Sequence, residues 1–297
     1  MSTPTAAARP APLPHDPARR RPTIGVGVDE SVESSVALAW ALDRAKRTGD
    51  AVRLVTVVEE EAGSMGAEYG REVTRGAAER MSEVARTVHA AAPDARLDIE
   101  IVHGPVAWAL ARAVTDGDLL VVGTPVGAVR DEAAPRVLGS RSVQIAAAAR
   151  CTVAVVPPLL GDERHGVVVG VETPADVPAL LDLGIREARL LGEPLLLVHC
   201  APRDDTAADG VLAAVEHALR ERSDDVEISA RRLFRSPVDG LVELARHASL
   251  LVMGRSRAPE LNPLGTTCHR VLSQAPAPVL IADAGRPGAG SRDAGGR

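Results

Sequence analysis

The chain has 297 residues, of which 45% are hydrophobic and 25% charged, and its formal net charge is −6 at pH 7. This length accommodates two domains of ordinary size, roughly 100 to 200 residues each. No apolar run reaches the roughly 18 residues needed to cross a bilayer, and the first twenty residues lack the apolar core of a secretory signal. We therefore expect a cytoplasmic protein without a membrane-spanning segment.

Both ends of the chain have compositions that disfavour folding. Residues 1–22 contain six prolines, and residues 285–297 consist mainly of glycine, alanine and arginine. Such segments bury too little apolar surface to offset the entropy of ordering, so we expect two disordered tails. The tails carry net charges of +3 and +2, which leaves −11 on the rest of the chain. Because an acidic body repels phosphate backbones, we do not expect nucleic-acid binding.

The first folded segment starts with a short apolar run that ends at Asp29. Apolar side chains at helical spacing follow it, which predicts a strand, a turn and an amphipathic helix. Aromatic residues make up only 1% of the chain, so aliphatic side chains must fill the core, as they do in parallel sheets covered on both faces. The predicted strands alternate with helical stretches and cover residues 24–28, 52–58, 97–102, 119–122 and 153–156.

The second half of the chain repeats this order of elements. Gly27-Val28-Asp29 reappears as Gly170-Val171-Glu172, and residues 118–123 reappear as residues 249–254. The repeated unit is much longer than the 20 to 50 residues of a solenoid repeat, so it indicates a duplicated domain. Its predicted strands cover residues 167–171, 195–200, 226–233, 250–253 and 279–282, and Thr173-Pro174 with Asp176 marks the start of its first helix.

Alternating strands and helices predict right-handed crossovers and parallel sheets. We expect two α/β domains of flavodoxin-like or Rossmann-like type, each with a five-stranded parallel sheet in the order 3-2-1-4-5 and helices on both faces. The expected domains are residues 23–158 and 165–284, with a linker at residues 159–164 after paired prolines. Because unpaired fifth strands would expose apolar edges, we expect the two copies to associate through them as an internal pseudo-dimer.

Ligands bind open parallel sheets at the carboxyl ends of the strands, where the strand order reverses. In the expected order, Asp29 and the loop that starts at Gly123 meet at this point. A strand ending in Gly-Val-Asp, a fourth strand ending in glycine and the pair Gly139-Ser140 at a helix start together resemble the universal stress protein family. The resemblance covers both copies. It implies a regulatory module, and many members of that family bind ATP while others do not.

The resemblance places a nucleotide site in the first copy. ATP-binding members carry Gly-x2-Gly-x9-Gly-Ser/Thr after the fourth strand, where glycines let the backbone approach phosphates and a helix N-terminus binds the anion. In this chain the second glycine stands one place late, and eleven residues instead of nine separate it from the third. Asp29 and Val57 occupy the positions that contact the adenine in the family. The motif itself falls on Gly123, Gly127, Gly139 and Ser140.

The corresponding site of the second copy is degenerate. Glu172 replaces the aspartate, Arg257 follows Gly254 where the middle glycine belongs, and only seven residues separate Arg257 from Gly265-Thr266. We expect this copy to have lost ATP binding and to serve as a structural partner. Because Arg255 and Arg257 can attract an anion, binding of a smaller or different ligand is left open for this copy.

Other chemistries lack the residues that they need. The only lysine is Lys46, inside a predicted helix, so no Walker-type lysine is available, and the motifs GxSxG and HExxH are absent. Residues 199–200 and 268–269 are Cys–His pairs, but neighbouring residues of a strand point to opposite faces, which disfavours a zinc site. A flavin or dinucleotide enzyme lacks GxGxxG after either first strand. We therefore expect neither an enzyme nor a metalloprotein, and we expect reduced cysteines.

Two functions follow from these patterns. The first is a stress-response protein in which at most the first copy binds ATP. The alternative is a protein-interaction scaffold of the same fold that binds no nucleotide, which the long, charged loop after Gly123 and the broken second motif favour. Asp29 and Gly139-Ser140 favour the nucleotide. The protein partner is not identified by the sequence, and a homodimer is left open.

Overall fold

The computed structural model describes residues 23–59, 67–114, 118–125, 141–158, 163–201, 207–220, 225–255 and 264–282. Both expected tails and residues 159–162 of the expected linker lie outside the described residues. Within the described ranges, none of the helices combines the length and the apolar character that crossing a membrane requires.

The first half contains five strands and four helices among its described residues. The strands are β1 (Thr23–Gly27), β2 (Ala51–Val58), β3 (Leu97–His103), β4 (Leu119–Gly123) and β5 (Thr152–Val156). The helices that alternate with them are α1 (Val32–Thr48), α2 (Ala67–Ala91), α3 (Val106–Ala113) and α4 (Arg141–Ala148).

The described part of the second half repeats this order. Its strands are β6 (Val167–Gly170), β7 (Leu195–Cys200), β8 (Ile228–Leu233), β9 (Leu250–Met253) and β10 (Val279–Ile281). Its helices are α5 (Val177–Leu191), α6 (Ala207–Arg220), α7 (Pro237–Ala245) and α8 (Thr266–Leu272), and a 3-10 turn at Pro174–Asp176 precedes α5.

The ten strands form one sheet in the order β3-β2-β1-β4-β5-β10-β9-β6-β7-β8. Within each half all neighbours are parallel and follow the predicted order 3-2-1-4-5. The fifth strands of the two halves pair with each other in antiparallel orientation. The predicted fold and the predicted association through the fifth strands are therefore confirmed, and the pairing removes the apolar edge that each half would otherwise expose.

Helices cover both faces of the sheet and bury two aliphatic cores. One core packs side chains of α1, α2, α5 and α6 against the sheet, and the other packs side chains of α3, α4, α7 and α8. Each core includes residues from both halves, so the hydrophobic interior continues across the β5–β10 junction. Burial on both faces explains why the strands read as continuous apolar runs in the sequence.

Glycines at equivalent places end the first helix of each half. Gly49 and Gly192 follow α1 and α5 with φ angles of 73° and 70°, a left-handed conformation that side-chain-bearing residues rarely adopt. The amide of Gly49 donates to the carbonyl of Ala45 at 2.8 Å. At the start of α5, the amide of Thr173 donates to Oδ2 of Asp176 at 2.9 Å. The sequence predicted this helix start.

The antiparallel pairing creates a pseudo-twofold axis between the halves. Ala154 pairs with Leu280 across the junction. The two residues hold equivalent places, because Ala154 pairs with Val121 of β4 and Leu280 pairs with Val252 of β9. The axis therefore passes between Ala154 and Leu280.

An ion pair between the halves joins a second pair of equivalent positions. Arg44 and Glu187 each stand five residues before the glycine that ends their helix. The guanidinium of Arg44 binds both carboxylate oxygens of Glu187 at 2.5 and 2.7 Å, and the side chains are only 17% and 3% exposed. Arg44 also stacks over the ring of Trp40, with 5.6 Å between its Cζ and the ring centroid. A charge buried in this way is costly when its partner is removed.

Reversing one charge of this pair should destabilise the protein, and reversing both should restore it. We expect Arg44→Glu to lower the free energy of unfolding by about 3 kcal/mol or more, because two buried carboxylates then face each other. The double variant R44E/E187R should recover most of that loss. Urea denaturation followed by circular dichroism measures both effects.

The exposed pair of Arg47 and Asp43 provides the control, since its side chains are 43% and 60% exposed. Arg47→Glu should change the free energy of unfolding by less than about 1 kcal/mol. The single variant Glu187→Arg completes the comparison. If the loss of stability in R44E/E187R equalled the sum of the losses in Arg44→Glu and Glu187→Arg, the two side chains would not interact across the halves.

Candidate functional site

Each half has a cleft at the carboxyl ends of its strands. Because β5 and β10 are antiparallel, the strands of the two halves point in opposite directions. The two clefts therefore open in opposite directions along the strands. The first cleft encloses about 710 Å³ of space, part of it open to solvent, and its lining includes Asp29, Ser31, Val57, Gly123, Arg141 and Ser142. It lies where the strand order reverses between β1 and β4, as the sequence predicted.

The structure brings together three of the residues predicted for the nucleotide site. Asp29, Val57 and Gly123 line the first cleft from the ends of β1, β2 and β4. The other three predicted residues, Gly127, Gly139 and Ser140, lie outside the described residues. The roles of all six in binding stay predictions.

Asp29 is held in a tight turn before α1. Its Oδ1 accepts hydrogen bonds from the amide of Ser31, at 2.9 Å, and from the hydroxyl of Ser31. Ser31 caps α1 by accepting from the amide of Ser34 at 3.1 Å, and the Ser34 hydroxyl donates to the Asp29 carbonyl at 2.8 Å. These bonds fix the direction of the carboxylate. They also satisfy the helix start, so capping alone would account for an acidic residue here.

The pKa of Asp29 lies below its ordinary value of 3.8. Burial raises this pKa, but the hydrogen bonds from Ser31 and Ser34 and the positive charge of Arg141 lower it by a larger amount in total. The carboxylate is therefore ionised at neutral pH and presents a fixed anionic acceptor to the cleft.

Arg141 supplies a cation that the sequence analysis did not single out. It is the first residue of α4, and its Nη2 lies 4.0 Å from Oε1 of Glu59. The next residue, Ser142, is buried and donates from Oγ to Oγ1 of Thr124 at 3.0 Å, which ties the start of α4 to the end of β4. The position of Arg141 directly after Gly139-Ser140 was the available signal in the sequence.

Gly123 has a packing role. A Cβ at this position would lie 2.2 Å from the carbonyl oxygen of Glu33, in the first turn of α1. At the equivalent Gly254, the nearest atom to a Cβ is Cδ1 of Leu180 at 3.6 Å, an ordinary contact. The close approach of α1 to β4 therefore requires a glycine at position 123, whereas the packing of α5 near the end of β9 does not require one at position 254.

The second cleft has a volume of about 620 Å³, part of it open to solvent, and its lining includes Glu172, His199, Cys200, Gly254, Arg255 and Cys268. Of the residues predicted for the degenerate site, Glu172 and Gly254 line the cleft, whereas Gly265 caps α8 and Thr266 is its first residue. Arg257 lies outside the described residues.

Arg255 lines the second cleft, and the anion that we left open for it stays a prediction. Its Nη2 donates to the carbonyl of Cys151 at 2.9 Å, and its Nη1 donates to the carbonyl of Ala146. Both acceptors belong to the first half. The guanidinium is therefore engaged across the junction.

His199 and Cys268 of the second cleft contact different carbonyl oxygens. His199 is 7% exposed, and its Nδ1 lies 3.0 Å from the carbonyl oxygen of Val171. The thiol of Cys268 donates to the carbonyl of Gly254 at 3.0 Å. Among the described residues, no group of three or more histidine, cysteine or acidic side chains is placed to hold a metal ion.

Both thiols of this cleft are protonated at neutral pH. Burial raises the pKa of Cys200 from 9.0 to about 11. Burial, with a smaller contribution from the charge of Glu172, raises the pKa of Cys268 to about 12. Because the thiolate is the reactive form, neither cysteine is activated as a nucleophile.

Alanine substitutions at the two equivalent glycines should differ in effect. Gly123→Ala should lower the free energy of unfolding by roughly 3 kcal/mol, because α1 must move away from the new methyl group. Gly254→Ala, the matched control, should change it by less than about 1 kcal/mol. Urea denaturation of both variants makes the comparison, and equal effects would contradict the packing role of Gly123.

The cysteines should alkylate slowly in the folded protein. At pH 8 a thiol with a pKa of about 11 has roughly 100-fold less thiolate than one with a pKa of 9.0. We expect labelling of Cys200 by iodoacetamide to be slower by about this factor than in the protein unfolded in urea, and to accelerate as the pH rises toward 11. Timed labelling with peptide mass spectrometry measures it. Equal rates in folded and unfolded protein would disprove the shift.

Comparison with known proteins identifies relatives along most of the chain. The model of the universal stress protein family matches residues 21–157 and 163–283. Universal stress protein Rv2028c of Mycobacterium tuberculosis is 28% identical over 270 residues, which cover 88% of this chain and 95% of that protein. Universal stress protein Rv3134c of the same species is 30% identical over 208 residues, covering 69% of this chain and 75% of the relative.

A solved structure shares the fold over a similar extent. The crystal structure of a universal stress protein from Archaeoglobus fulgidus has a TM-score of 0.65 at 18% sequence identity, and the match covers 88% of this chain and 95% of that one. Since the family model matches both halves, and each half has the same five-stranded topology, the chain belongs to the universal stress protein family and carries the family's domain twice.

Proposed function

We propose that the protein is a non-enzymatic stress-response module whose first cleft binds ATP or a related adenine nucleotide. The observation that carries the proposal is the lining of that cleft: an ionised carboxylate at Asp29 and a cation at Arg141 face one space at the switch point of the sheet. An adenine offers a donor to the carboxylate, and a phosphate offers charge to the cation. Family membership supports the same ligand class.

In this proposal, Asp29 and Arg141 together orient the ligand. The base lies at the end of β1 and β2, where Asp29 accepts from its amino group and Val57 contacts it through the backbone. The phosphates lie toward the start of α4, where Arg141 and the amides of a helix N-terminus favour negative charge. Glu59, beside Arg141, moderates the positive charge there.

Binding without hydrolysis fits the chemistry of this cleft. Asp29 has a lowered pKa, so its carboxylate is a weak general base. Arg141 positions phosphate charge but transfers no proton. We therefore assign the cleft to recognition, in which a bound nucleotide changes the surface offered to a protein partner.

A second candidate function is a protein-interaction scaffold that binds no nucleotide. Gly123 has a structural reason to be glycine that involves no phosphate, and Glu59 places a negative charge next to Arg141. Native mass spectrometry of gently purified protein separates the two functions. A mass increase equal to that of an adenine nucleotide favours the first, and the bare mass favours the second.

Equilibrium dialysis with labelled ATP tests the proposed site. We expect saturable binding at millimolar ATP or below, with one nucleotide per chain. Asp29→Asn should weaken binding of both ATP and adenosine by about tenfold, because it removes a charged acceptor. Arg141→Gln should weaken ATP but leave adenosine nearly unchanged.

The matched control is Glu172→Gln, at the position equivalent to Asp29 in the second cleft. It should bind ATP like the wild-type protein. Absence of saturable binding to wild-type protein would exclude the nucleotide, and a loss on Glu172→Gln instead of Asp29→Asn would assign it to the second cleft.

A further inference from the structure

Arg255 connects the second cleft with a helix of the first half. It directly follows the glycine that ends the β9 region and lines the second cleft. Both of its terminal nitrogens nevertheless donate to carbonyl oxygens of the first half: Nη1 to Ala146 and Nη2 to Cys151. The side chain thus crosses the β5–β10 junction.

The helix that Arg255 contacts reaches from one cleft toward the other. Helix α4 has eight residues, a length of roughly 12 Å. Its first two residues, Arg141 and Ser142, line the first cleft. Ala146 is among the last four residues of α4, and the carbonyl oxygens of such residues have no amide N–H donor within the helix. Arg255 supplies such a partner and places a positive charge at the negative end of the helix dipole.

The equivalent residue of the first half has a different role. Thr124 follows Gly123 as Arg255 follows Gly254. Thr124 is buried, and its hydroxyl accepts from Ser142 within its own half. Two positions that began as copies now act on the same helix: Thr124 holds its start, and Arg255 holds its end. Both therefore contribute to the position of α4 beside the first cleft.

We propose that Arg255 is a positioning residue for the first cleft, so that the second half of the chain sets the affinity of the first half for phosphate-bearing ligands. Arg255 holds the carboxyl end of α4 and thereby fixes where Arg141 and Ser142 stand in the cleft. Val143, Ile145 and Ala146 pack into the core, so loss of Arg255 displaces the helix and does not unfold it. The inference rests on the proposed nucleotide site.

The test uses the full chain with Arg255→Gln, Arg255→Lys and the control Arg246→Gln. Arg246 is an exposed arginine of the second half, beside Glu243 at the end of α7. Equilibrium dialysis measures ATP and adenosine. We expect Arg255→Gln to weaken ATP about three- to tenfold and to leave adenosine within about twofold, since adenosine lacks the phosphates that face α4. Arg255→Lys should recover part of the loss, and Arg246→Gln should match wild type.

Hydrogen–deuterium exchange of nucleotide-free protein gives a second readout. Amides of residues 142–150 should exchange faster in Arg255→Gln, while those of β1 and β4 stay unchanged. Equal ATP affinity in wild type and Arg255→Gln would overturn the proposal. So would equal losses of ATP and adenosine with faster exchange throughout the sheet, because that pattern marks a general loss of stability.

Failure of the proposed function gives a different pattern. In that case wild-type protein binds neither ATP nor adenosine, and the claim about affinity is overturned with it. Faster exchange confined to residues 142–150 in Arg255→Gln would still support the contact between Arg255 and α4. Unchanged exchange would overturn that as well.

Discussion

The antiparallel pairing of β5 with β10 determines how every other part of this molecule is arranged. It merges two five-stranded sheets into one and buries the apolar edge of each. It also sets the pseudo-twofold axis, which makes the two clefts open in opposite directions along the strands. The contacts between Arg44 and Glu187, and between Arg255 and the end of α4, exist only because this pairing brings the halves together.

Duplication within one chain allows equivalent positions to carry different residues. In a symmetric homodimer, a residue close to the twofold axis faces its own copy, and two buried arginines or two buried glutamates would repel each other. Here one copy carries Arg44 and the other carries Glu187, so the position has become attractive. Thr124 and Arg255 have also diverged in residue type. Gly123 and Gly254 are the same residue, but only Gly123 is closely packed against a helix backbone. The halves share a fold but no longer share their chemistry.

The two clefts differ in the chemistry that they present. The first holds an ionised Asp29 and a cation at Arg141, which suits a ligand that carries both hydrogen-bond donors and negative charge. The second holds protonated thiols at Cys200 and Cys268 and an arginine, Arg255, whose terminal nitrogens donate to carbonyls of the first half. This difference supports our assignment of nucleotide binding to the first half and of a supporting role to the second.

The sequence by itself determined the elements, their order in each half and the duplication, because hydrophobic periodicity reports local backbone geometry and burial. It also located Asp29 and Gly123, since residues at the carboxyl ends of parallel strands converge, while Val57 came from the resemblance to the family. Only the tertiary structure decided which residues meet across the halves. Arg255 and Ala146 are separated by 109 positions, and their contact depends on the register in which Ala154 opposes Leu280. No local pattern encodes that register, because it is fixed by how two complete sheets dock edge to edge.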